Sequence, residues 1–431
     1  MNVLLVKPSW LYPYSKGEYT YNRIWPPLSL ANCAAILEKS GFKVKILDCH
    51  ALRISPRKIR DYVKGFNKAF ITSSSLDRWQ CPNIDIRPFL EAVNYLKRIV
   101  DDVYILGYHG TVEPEKILNL TKVKAVVIGE PEDTVRDICQ NNELSGIKGI
   151  AFNNGSETVI TPAREAVDLK TLPVPAYHLL NFGSYSYEIL GDNFALFEIS
   201  RGCKFNCKFC NKTMYGERLR SKSKDQILEE ITLAVEKHGV KTGYFIDLDF
   251  LSVREIVEDI CHYLIKKKYK FKWTCQTRPD CLDEEILRKM KMSGCKIIHM
   301  GIETGLQERL DYFNKSITIE KMTEAVELCR KMGIKIFIFV LFGFPGETNK
   351  DREKTYNFVE QLDSYYVSFH KIFPYKGTDI YHDNFEHDIN LDKFIRKAFI
   401  KYYLNPCHLH RLGFPFLSQA MKLFLGRINS L

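Results

Sequence analysis

The sequence predicts an α/β protein with two sheet domains and a short helical C-terminal region. Short β-like runs alternate with helical stretches over the first 140 residues, and a second alternation of the same kind starts at Phe197. The segment between them is rich in turn residues, which favours a domain boundary there. A chain of 431 residues is long enough to bury both cores.

The first alternation, over residues 1–140, is typical of a doubly wound, Rossmann-like parallel sheet. Its strands are predicted at residues 3–6, 43–47, 69–72, 103–106 and 125–128. Ligands of such sheets bind at the carboxyl ends of the strands. The loops that follow these strands are therefore the candidate binding loops of the domain.

The second alternation occupies residues 193–380, after a connecting segment at 141–192 that contains the hairpin signal Asn153-Asn154-Gly155. Its strands are predicted near residues 197–200, 243–248, 271–275, 296–301, 334–341 and 366–372. Six strands that alternate with helices favour a partial β/α barrel.

The C-terminal region, residues 381–431, is predicted to be helical and basic. Residues 391–431 hold seven Lys and Arg against one Asp, which accounts for +6 of the formal net charge of +10. Such a region suits a packed helical cap with a solvated basic face, or peripheral contact with anionic lipid or nucleic acid. We favour the packed cap.

Composition favours a cytoplasmic protein with free thiols. The longest strongly apolar run, Ile336–Pro345, has only half of the ~20 residues that a membrane-spanning helix needs. Residues 1–8 are typical of a first strand and lack the features of a signal peptide. Thirteen cysteines without a secretion signal indicate thiols or metal ligands rather than a disulfide framework.

Three cysteines form the sharpest signal in the chain. Cys203, Cys207 and Cys210 are spaced C-x3-C-x2-C directly after the first strand of the second series. Three thiolates on one loop can each bind one iron of a [4Fe-4S] cluster, which leaves the fourth iron open to a small molecule. A structural zinc site usually needs a fourth Cys or His, and none follows at short spacing. A zinc site and three unrelated thiols are the alternatives.

With Phe209 before its last cysteine, this motif resembles the C-x3-C-x-aromatic-C motif of the radical S-adenosylmethionine superfamily. The resemblance implies that S-adenosylmethionine chelates the open iron and that its reductive cleavage gives a 5′-deoxyadenosyl radical. It also implies an electron donor such as ferredoxin or flavodoxin.

Four later segments resemble the cofactor-binding segments of the same superfamily: Phe245–Phe250, Trp273–Arg278, Gly301–Thr304 and Phe342–Thr348. In the family, the aspartate at the position of Asp247 meets the methionine ammonium; Leu248 replaces the aspartate that usually follows it. Arg278 is a candidate for the cofactor's carboxylate or for a structural ion pair. The resemblance implies these contacts with S-adenosylmethionine: Phe209, Asp247, Gln276, Arg278, Glu303, Gly343 and Pro345.

A doubly wound domain before the barrel resembles the cobalamin-dependent class of this superfamily. Similar segments are Pro26–Ala31, Gly41–Asp48 and Val127–Glu132. The chain departs from the class at Gly107-Tyr108, where paired glycines are usual, and at Gly129-Glu130-Pro131-Glu132, where G-E-G-E is usual. The implied cobalamin contacts lie on the strand-end loops: Ser9, Trp10, Ser73, Ser74, Ser75, Trp79, Gly107, Gly110, Gly129 and Glu130.

The segment Asp48–Arg53 nearly matches the D-x-H-x-x-G motif by which other cobalamin proteins ligate cobalt. Arg53 replaces the glycine and the segment follows the second strand, so we interpret His50 as a surface or core histidine. Arg78 or Trp79 is then the candidate to cover the lower face of cobalt. A capping segment for the next helix is the alternative interpretation.

The resemblance predicts cobalamin-dependent methylation of an unactivated carbon, in a small-molecule or lipid-like substrate held where the carboxyl edges of the two sheets meet. Residues 381–431 would shape the entrance. A cobalamin-dependent cyclase or rearrangement enzyme shares the motifs, and a methylthiotransferase would hold a second cluster on Cys33, Cys49 and Cys81. A non-catalytic lipid- or nucleic-acid-binding protein is the remaining alternative. No RNA substrate is expected, because an obvious β-barrel RNA module is lacking.

Overall fold

The computed structural model describes residues 1–10, 23–74, 82, 84–141, 143–155, 157–383 and 390–408. Two sheets dominate it, one of seven strands and one of six. Both are covered by helices, and the predicted α/β class is confirmed.

The first sheet has the strand order 2-1-3-4-5-6-7. Its strands are β1 (Asn2–Lys7), β2 (Lys43–Asp48), β3 (Lys68–Thr72), β4 (Asp102–Leu106), β5 (Ala125–Val127), β6 (Ile150–Asn153) and β7 (Thr158–Ile160). The first five are parallel and match the five predicted strands. β6 and β7 form the hairpin predicted in the connecting segment, and they extend this sheet by two antiparallel strands.

Helices cover both faces of the first sheet, as the doubly wound fold requires. They are α1 (Leu28–Lys39), α2 (Arg87–Leu96), α3 (Tyr108–Val112), α4 (Pro114–Thr121) and α5 (Glu132–Gln140). On one face Leu30 of α1 and Val135 of α5 share a core with Phe70 of β3. On the other face Phe89 of α2 and Leu118 of α4 pack in a core with Ile71 of β3. Successive residues of one strand thus supply two separate cores.

The second sheet is the predicted partial barrel. Two short antiparallel pairs precede or flank its strands, β8 (Ser186–Tyr187) with β9 (Gly191–Asp192) and β11 (Ser200–Arg201) with β12 (Arg220–Ser221). Its strands are β10 (Phe194–Phe197), β13 (Thr242–Phe245), β14 (Lys272–Gln276), β15 (Cys295–Glu303), β16 (Lys335–Phe342) and β17 (Tyr366–Lys371). They are all parallel and lie in chain order.

The first barrel strand lies three residues earlier than predicted, because β10 spans Phe194–Phe197 and the prediction placed it near residues 197–200. The backbone N–H groups of Ile199 and Ser200 donate to the carboxylate of Asp247 and not to a neighbouring strand. The chain therefore leaves the sheet before the cysteine motif begins.

Helices α6 to α11 lie between the barrel strands and α12 follows the last one. They are α6 (Lys224–Thr232), α7 (Arg254–Lys267), α8 (Glu284–Met292), α9 (Gln307–Tyr312), α10 (Ile319–Lys331), α11 (Asn349–Leu362) and α12 (Leu391–Leu404). Capping boxes begin α6 at Ser223 and α11 at Thr348. These caps satisfy helix N–H groups that would otherwise lack partners.

The packed C-terminal cap is confirmed for α12. The hydroxyl of Tyr402 donates to the carbonyl of Ser364 (2.5 Å), and that of Tyr403 donates to the carbonyl of Val367 on β17 (2.7 Å). Lys393 and Arg396 are exposed on the opposite side of the helix. In the part of the chain that the structure describes, no helix is both long and apolar enough to cross a membrane.

Candidate active site

The carboxyl edges of the two sheets meet in one apolar cluster. Tyr108, after β4, packs with Met214 and Tyr215 of the loop that follows the cysteine motif. Its hydroxyl donates to the carbonyl of Lys376, after β17 (2.6 Å). Leu248, after β13, packs against the same cluster. The strand-end loops of both domains thus converge, as the sequence predicted.

The three predicted cluster ligands share the loop between β11 and β12. The loop starts at Gly202, whose φ is +83°, and a Cβ there would lie 2.2 Å from the carbonyl oxygen of Arg218, so this position requires glycine. Burial raises the pKa of Cys210 to about 12, and the charges of Cys207 and Cys203 act in the same direction. The backbone N–H of Cys210 also donates to the carbonyl of Cys207 (3.0 Å), so these two cysteines share one turn of the loop.

The donor set fits an iron–sulfur cluster better than a single ion. Each thiolate of such a cluster binds a separate iron, so the sulfurs need not converge on one point. Within the described ranges, no three His, Cys, Asp or Glu side chains are gathered closely enough to hold one metal ion. Iron would also stabilise the thiolate forms, which burial disfavours in the protein alone.

Asp247, two residues after β13, supports the start of the cysteine loop. Its Oδ1 accepts from the backbone N–H of Ile199 (3.2 Å), from that of Ser200 (2.5 Å) and from the Ser200 hydroxyl (2.6 Å). Burial raises the pKa of Asp247 to about 7, against the effect of the Ser200 hydrogen bonds. The structure thus shows a bracing role, and the contact with the methionine ammonium stays a prediction.

Arg278 forms an ion pair and also lies beside the cysteine loop. Its Nε and Nη2 each donate to a carboxylate oxygen of Asp280 (2.9 Å). The guanidinium lies 3.7 Å from the centre of the Phe205 ring, and its Nη1 is 4.0 Å from the sulfur of Cys207. The structural ion pair, one of the two roles expected of Arg278, is therefore present.

Glu303 pairs with a lysine that the sequence did not single out. The Nζ of Lys315 lies 2.8 Å from its Oε1, and both side chains are buried. Burial opposes the charge on Lys315, yet the carboxylate keeps its pKa above the usual value. Lys315 also lies over the ring of Phe209, 5.6 Å from its centre, while a Cβ on Gly301 would fall 2.1 Å from Oε1. Glycine at 301 therefore makes room for this pair.

The turn after β16 is held by charged side chains. The N–H of Gly343, with φ of +90°, donates to Oε2 of Glu347 (2.6 Å), and Arg352 pairs with the same oxygen (3.0 Å). Arg309 donates to the carbonyl of Pro345 (2.8 Å). Gly343 is thus held by Glu347, which Arg352 fixes in turn, and Pro345 is held by Arg309. No sequence motif identified either arginine.

The inner face of the barrel carries stacked rings beneath Gln276. This residue ends β14 and accepts a long hydrogen bond from Tyr244 (3.5 Å). His299 of β15 stacks between Tyr244 and Phe337, with centroid distances of 4.9 and 4.8 Å. Burial lowers the pKa of His299 to about 3, and its Nδ1 has no hydrogen-bond partner among the described residues.

The edge of the first sheet is shaped by glycines. Gly107 has φ of +97°, and a Cβ there would lie 3.1 Å from the hydroxyl of Ser73. A Cβ on Gly110 would lie 2.5 Å from a side-chain carbon of β5. Gly129 has φ of +81°, its N–H donates to Thr111 (3.0 Å), and no atom of the described residues lies within 4 Å of its Cβ position. Space is therefore left open at Gly129.

Two serines after β3 complete this edge. The hydroxyl of Ser73 accepts from the N–H of His109 (3.3 Å). Ser74 is buried, and its hydroxyl has no hydrogen-bond partner within the described part of the chain. Small residues, an open glycine and a buried hydroxyl fit the edge of a flat, amide-bearing cofactor such as cobalamin. Four residues of interest here lie outside the described residues: Ser75, Arg78, Trp79 and Cys81.

Trp10 and His50 belong to the core of the first domain. The N–H of Trp10 donates to Nδ1 of His50 (3.1 Å), and its indole N–H donates to the carbonyl of Asp85 (3.3 Å). Nε2 of His50 donates to the carbonyl of Arg23 (3.2 Å), and burial lowers the pKa of His50 to about 3. The interpretation of His50 as a core histidine is confirmed. Ser9 is also buried, and cobalamin contacts at Ser9 and Trp10 stay predictions.

The side chain of Glu130 forms ion pairs with two arginines of the barrel domain. Its Oε1 pairs with Arg220 (2.6 Å) and its Oε2 with Arg201 (3.2 Å). Any contact between Glu130 and cobalamin would therefore have to involve its backbone.

The structure argues against a second cluster on the N-terminal cysteines. Cys33 lies in α1 and belongs to the core on one face of the first sheet. Cys49 follows β2 and belongs to the core on the opposite face. Ligands of one cluster cannot be separated by a sheet, so these two thiols are packing residues.

The family comparisons agree with this geometry. Residues 197–359 match the radical SAM superfamily, and residues 19–139 match the B12 binding domain. The chain is therefore a radical S-adenosylmethionine enzyme that carries a B12-binding domain before its barrel. Its cofactors are a [4Fe-4S] cluster, S-adenosylmethionine and cobalamin, for which the cysteine loop and the glycine-lined edge provide fitting sites.

Among known proteins, the chain is similar to an uncharacterized methyltransferase of Pyrococcus horikoshii, with 27% identity over 94% of this chain and 93% of that protein. It is 26% identical to the anaerobic magnesium-protoporphyrin IX monomethyl ester cyclase of Cereibacter sphaeroides, over 83% of this chain and 59% of that enzyme. The radical S-adenosylmethionine methyltransferase TsrM of Kitasatospora setae, solved with cobalamin and a [4Fe-4S] cluster, shares the fold. That comparison gives a TM-score of 0.70 and 19% identity, and covers 88% of this chain and 74% of that one.

Proposed function

We propose that this enzyme methylates an unactivated carbon of a predominantly apolar small molecule or lipid. One observation carries the proposal: the cysteine loop of the barrel and the glycine-lined edge of the first sheet meet across the cluster around Tyr108. A substrate held there lies within reach of both cofactor sites. Such proximity is what a transfer among three bound partners requires.

Each part of the chain has a distinct task in this proposal. When bound, the cofactors supply a 5′-deoxyadenosyl radical and a transferable methyl group. Cys203, Cys207 and Cys210 hold the cluster, and Asp247 fixes the backbone that leads into their loop. The buried pair of Glu303 and Lys315 supports the far side of the same loop, through Phe209. The Tyr108 cluster limits access of water to the meeting point of the edges.

The inner face of the barrel supports an apolar substrate. Along β16 the alternate residues Phe339 and Leu341 are half-buried, while Val340 and Phe342 point to the opposite face and are buried. On the neighbouring strand β17, Ser368 is paired with Phe339 and His370 with Leu341, so they lie on the same face of the sheet. Ser368 is half-buried and His370 is exposed. A mainly apolar wall with a few polar groups is typical of small-molecule sites.

The reductant is expected to approach the cysteine loop, where Cys207 is half-buried and the neighbouring Lys204 and Asn206 are exposed. A ferredoxin or flavodoxin in the cytoplasm would meet this requirement. Peripheral membrane contact through the basic face of α12 and the residues after it stays a prediction.

A cyclase or rearrangement activity is the second candidate, favoured by the similarity to the Cereibacter sphaeroides cyclase. The two reactions share the radical and the site and differ in whether a methyl group is transferred. The mass of the product therefore separates them, because only methylation adds a CH₂ unit.

The proposal is tested by anaerobic purification of the full chain, with iron, sulfide and corrinoid measured on one sample. We expect about four irons per chain and one bound corrinoid. Addition of S-adenosylmethionine and a reductant should give 5′-deoxyadenosine and a methylated corrinoid. Iron without corrinoid, even after reconstitution, would exclude the methylation mechanism. Absence of iron would refute the whole assignment.

A further inference from the structure

The two domains are joined by a buried network of charged side chains. The guanidinium of Arg201, fully buried, pairs with Glu198 (2.9 Å) and Glu132 (2.8 Å) and with Glu130 (3.2 Å). Arg220 holds Glu130 from the other side (2.6 and 3.1 Å). The side chains of Arg201, Glu132 and Glu198 are almost completely buried, and those of Glu130 and Arg220 are 7% and 14% exposed.

The residues of this network belong to two loops that the proposed function places beside the two cofactors. Arg201 stands two residues before the first cluster cysteine, and Arg220 lies on the paired strand that closes the same loop. Glu130 and Glu132 follow Gly129, where the first sheet offers open space to a cofactor. The network therefore connects the predicted corrin edge directly to the loop that holds the cluster.

Stability alone is a weak explanation for such a network. Burying the charges of Arg201, Glu132 and Glu198 carries a desolvation cost that can exceed the attraction between them, and apolar residues of similar volume often serve as well. Geometry is a better explanation. The planar guanidinium presents its donors in a fixed fork, so several paired carboxylates determine both its position and its orientation.

We propose that Arg201 and Glu132 are positioning residues that fix the cluster loop relative to the corrin-binding edge. The inference rests on the proposed function, because only a methyl transfer between S-adenosylmethionine and the corrinoid needs the two sites to keep a fixed position relative to each other. Cleavage of S-adenosylmethionine on the cluster needs the barrel domain alone. Loosening the network should therefore separate the two reactions.

Two substrate-free reactions measure this separation. In the first, two electrons from a strong reductant such as titanium(III) citrate convert the bound hydroxocobalamin to its Co(I) form. The corrinoid then takes the methyl group of S-adenosylmethionine, so that a cobalt–carbon bond forms as the methyl carbon–sulfur bond breaks and S-adenosylhomocysteine leaves. In the second, one electron from dithionite breaks the bond between sulfur and the 5′ carbon. Methionine leaves, and the 5′-deoxyadenosyl radical takes a hydrogen atom from a buffer component.

The test variant is Glu132→Gln, which keeps the volume and removes one charge of the network. Its matched control is Glu230→Gln, which breaks an equally buried pair with Lys222 (2.6 Å) within the barrel domain. Both are loaded with cluster and hydroxocobalamin. Methylcorrinoid formed per 5′-deoxyadenosine should fall about 10-fold or more in Glu132→Gln, because small misplacements of reacting groups are costly, and should stay unchanged in Glu230→Gln.

A second measurement is independent of activity. Hydrogen exchange of the loaded full chain should become faster at residues 127–134 and 198–203 together in Glu132→Gln, and remain as in the wild type in the control. If Glu132→Gln gives no soluble protein, Arg201→Lys is put through both measurements, since lysine keeps the charge and loses the fork.

The inference is overturned if the product ratio and exchange are unchanged, or if both reactions fall in proportion to lost cluster. A wild-type enzyme that cleaves S-adenosylmethionine but forms no methylcorrinoid would instead refute the proposed function. In that event the exchange measurement still decides whether the network fixes the two edges.

Discussion

The two carboxyl edges that meet in this enzyme differ in the residues that shape their loops. In the loops after β3 and β4 of the first sheet, the hydrogen bonds of Ser73 and Thr111 join neutral groups, and glycines 107 and 129 adopt positive φ. At the barrel edge, buried ion pairs such as Glu303 with Lys315 fix the loops. The first edge lets the backbone approach a large flat ligand, whereas the second resists displacement around a charged one.

Because of this difference, substitutions at the two edges should have different effects on activity and stability. Changes at the barrel edge should remove chemistry or a large part of that domain's stability. Changes at the first edge should cost less and act through the binding of corrinoid.

The largest effect is expected for Cys207→Ala. With one of the three thiolates gone, the cluster should be lost and formation of 5′-deoxyadenosine should fall to background. The first domain should keep its fold and its affinity for hydroxocobalamin, measured by absorbance titration. Undiminished cleavage of S-adenosylmethionine in this variant would contradict the assignment of the cluster site.

Glu303→Gln should destabilise the barrel by about 3–5 kcal/mol, because it leaves the buried charge of Lys315 without its carboxylate. The measurement is urea unfolding followed by intrinsic fluorescence. Glu324→Gln is the control, since Glu324 pairs with Lys321 on the exposed face of α10 and such pairs contribute about 0–1 kcal/mol. Equal effects of the two substitutions would show that the Glu303 pair is not buried in solution.

Gly107→Ala should cost about 1–3 kcal/mol in the first domain, since φ of +97° with ψ of −171° is a region that essentially only glycine adopts. The added Cβ also approaches Ser73, so affinity for hydroxocobalamin should fall while cleavage of S-adenosylmethionine persists. Gly146→Ala is the matched control because its Cβ position is open and its φ is not positive. Unchanged corrinoid affinity in Gly107→Ala would move the binding site away from this loop.

At neutral pH the smallest effect is expected for substitutions that act through stability in acid, and the comparison uses one buried histidine in each domain. The pKa of His299 is lowered from 6.5 to about 3, so on acidification the unfolded chain takes up the proton first and stability is lost as pH falls through this window. His299→Phe keeps the ring stack and should flatten that loss by up to about 1.4 kcal/mol per pH unit. His262→Phe, at an exposed position, is the control for the loss of a histidine at the surface.

His50 sharpens this comparison. Its pKa is also lowered to about 3, but both of its ring nitrogens bond to the backbone. Both substitutions should flatten the loss of stability in acid, but His50→Phe should also cost more at neutral pH, because it removes two hydrogen bonds to the backbone, whereas His299→Phe removes one long contact with the Tyr187 hydroxyl (3.4 Å). Equal losses of stability at neutral pH in the two variants would contradict the assigned contacts.

The spacing of residues along the chain was enough to predict the fold class and the kind of chemistry. The five parallel strands of the first domain were found from their local pattern, and the cluster ligands from three cysteines within eight positions. These features are local, since a strand's alternation and a loop's donor set are contained in consecutive residues.

Only the tertiary structure decided which distant side chains become partners. Arg201 and Lys315 carry no motif, and each gained its role because packing buried it against a carboxylate, Glu132 at 69 residues and Glu303 at 12 residues along the chain. In the same way, Cys33 and Cys49 proved to lie on opposite faces of a sheet. A buried charge must find a partner wherever the topology brings one, and that choice depends on the whole fold rather than on neighbouring residues.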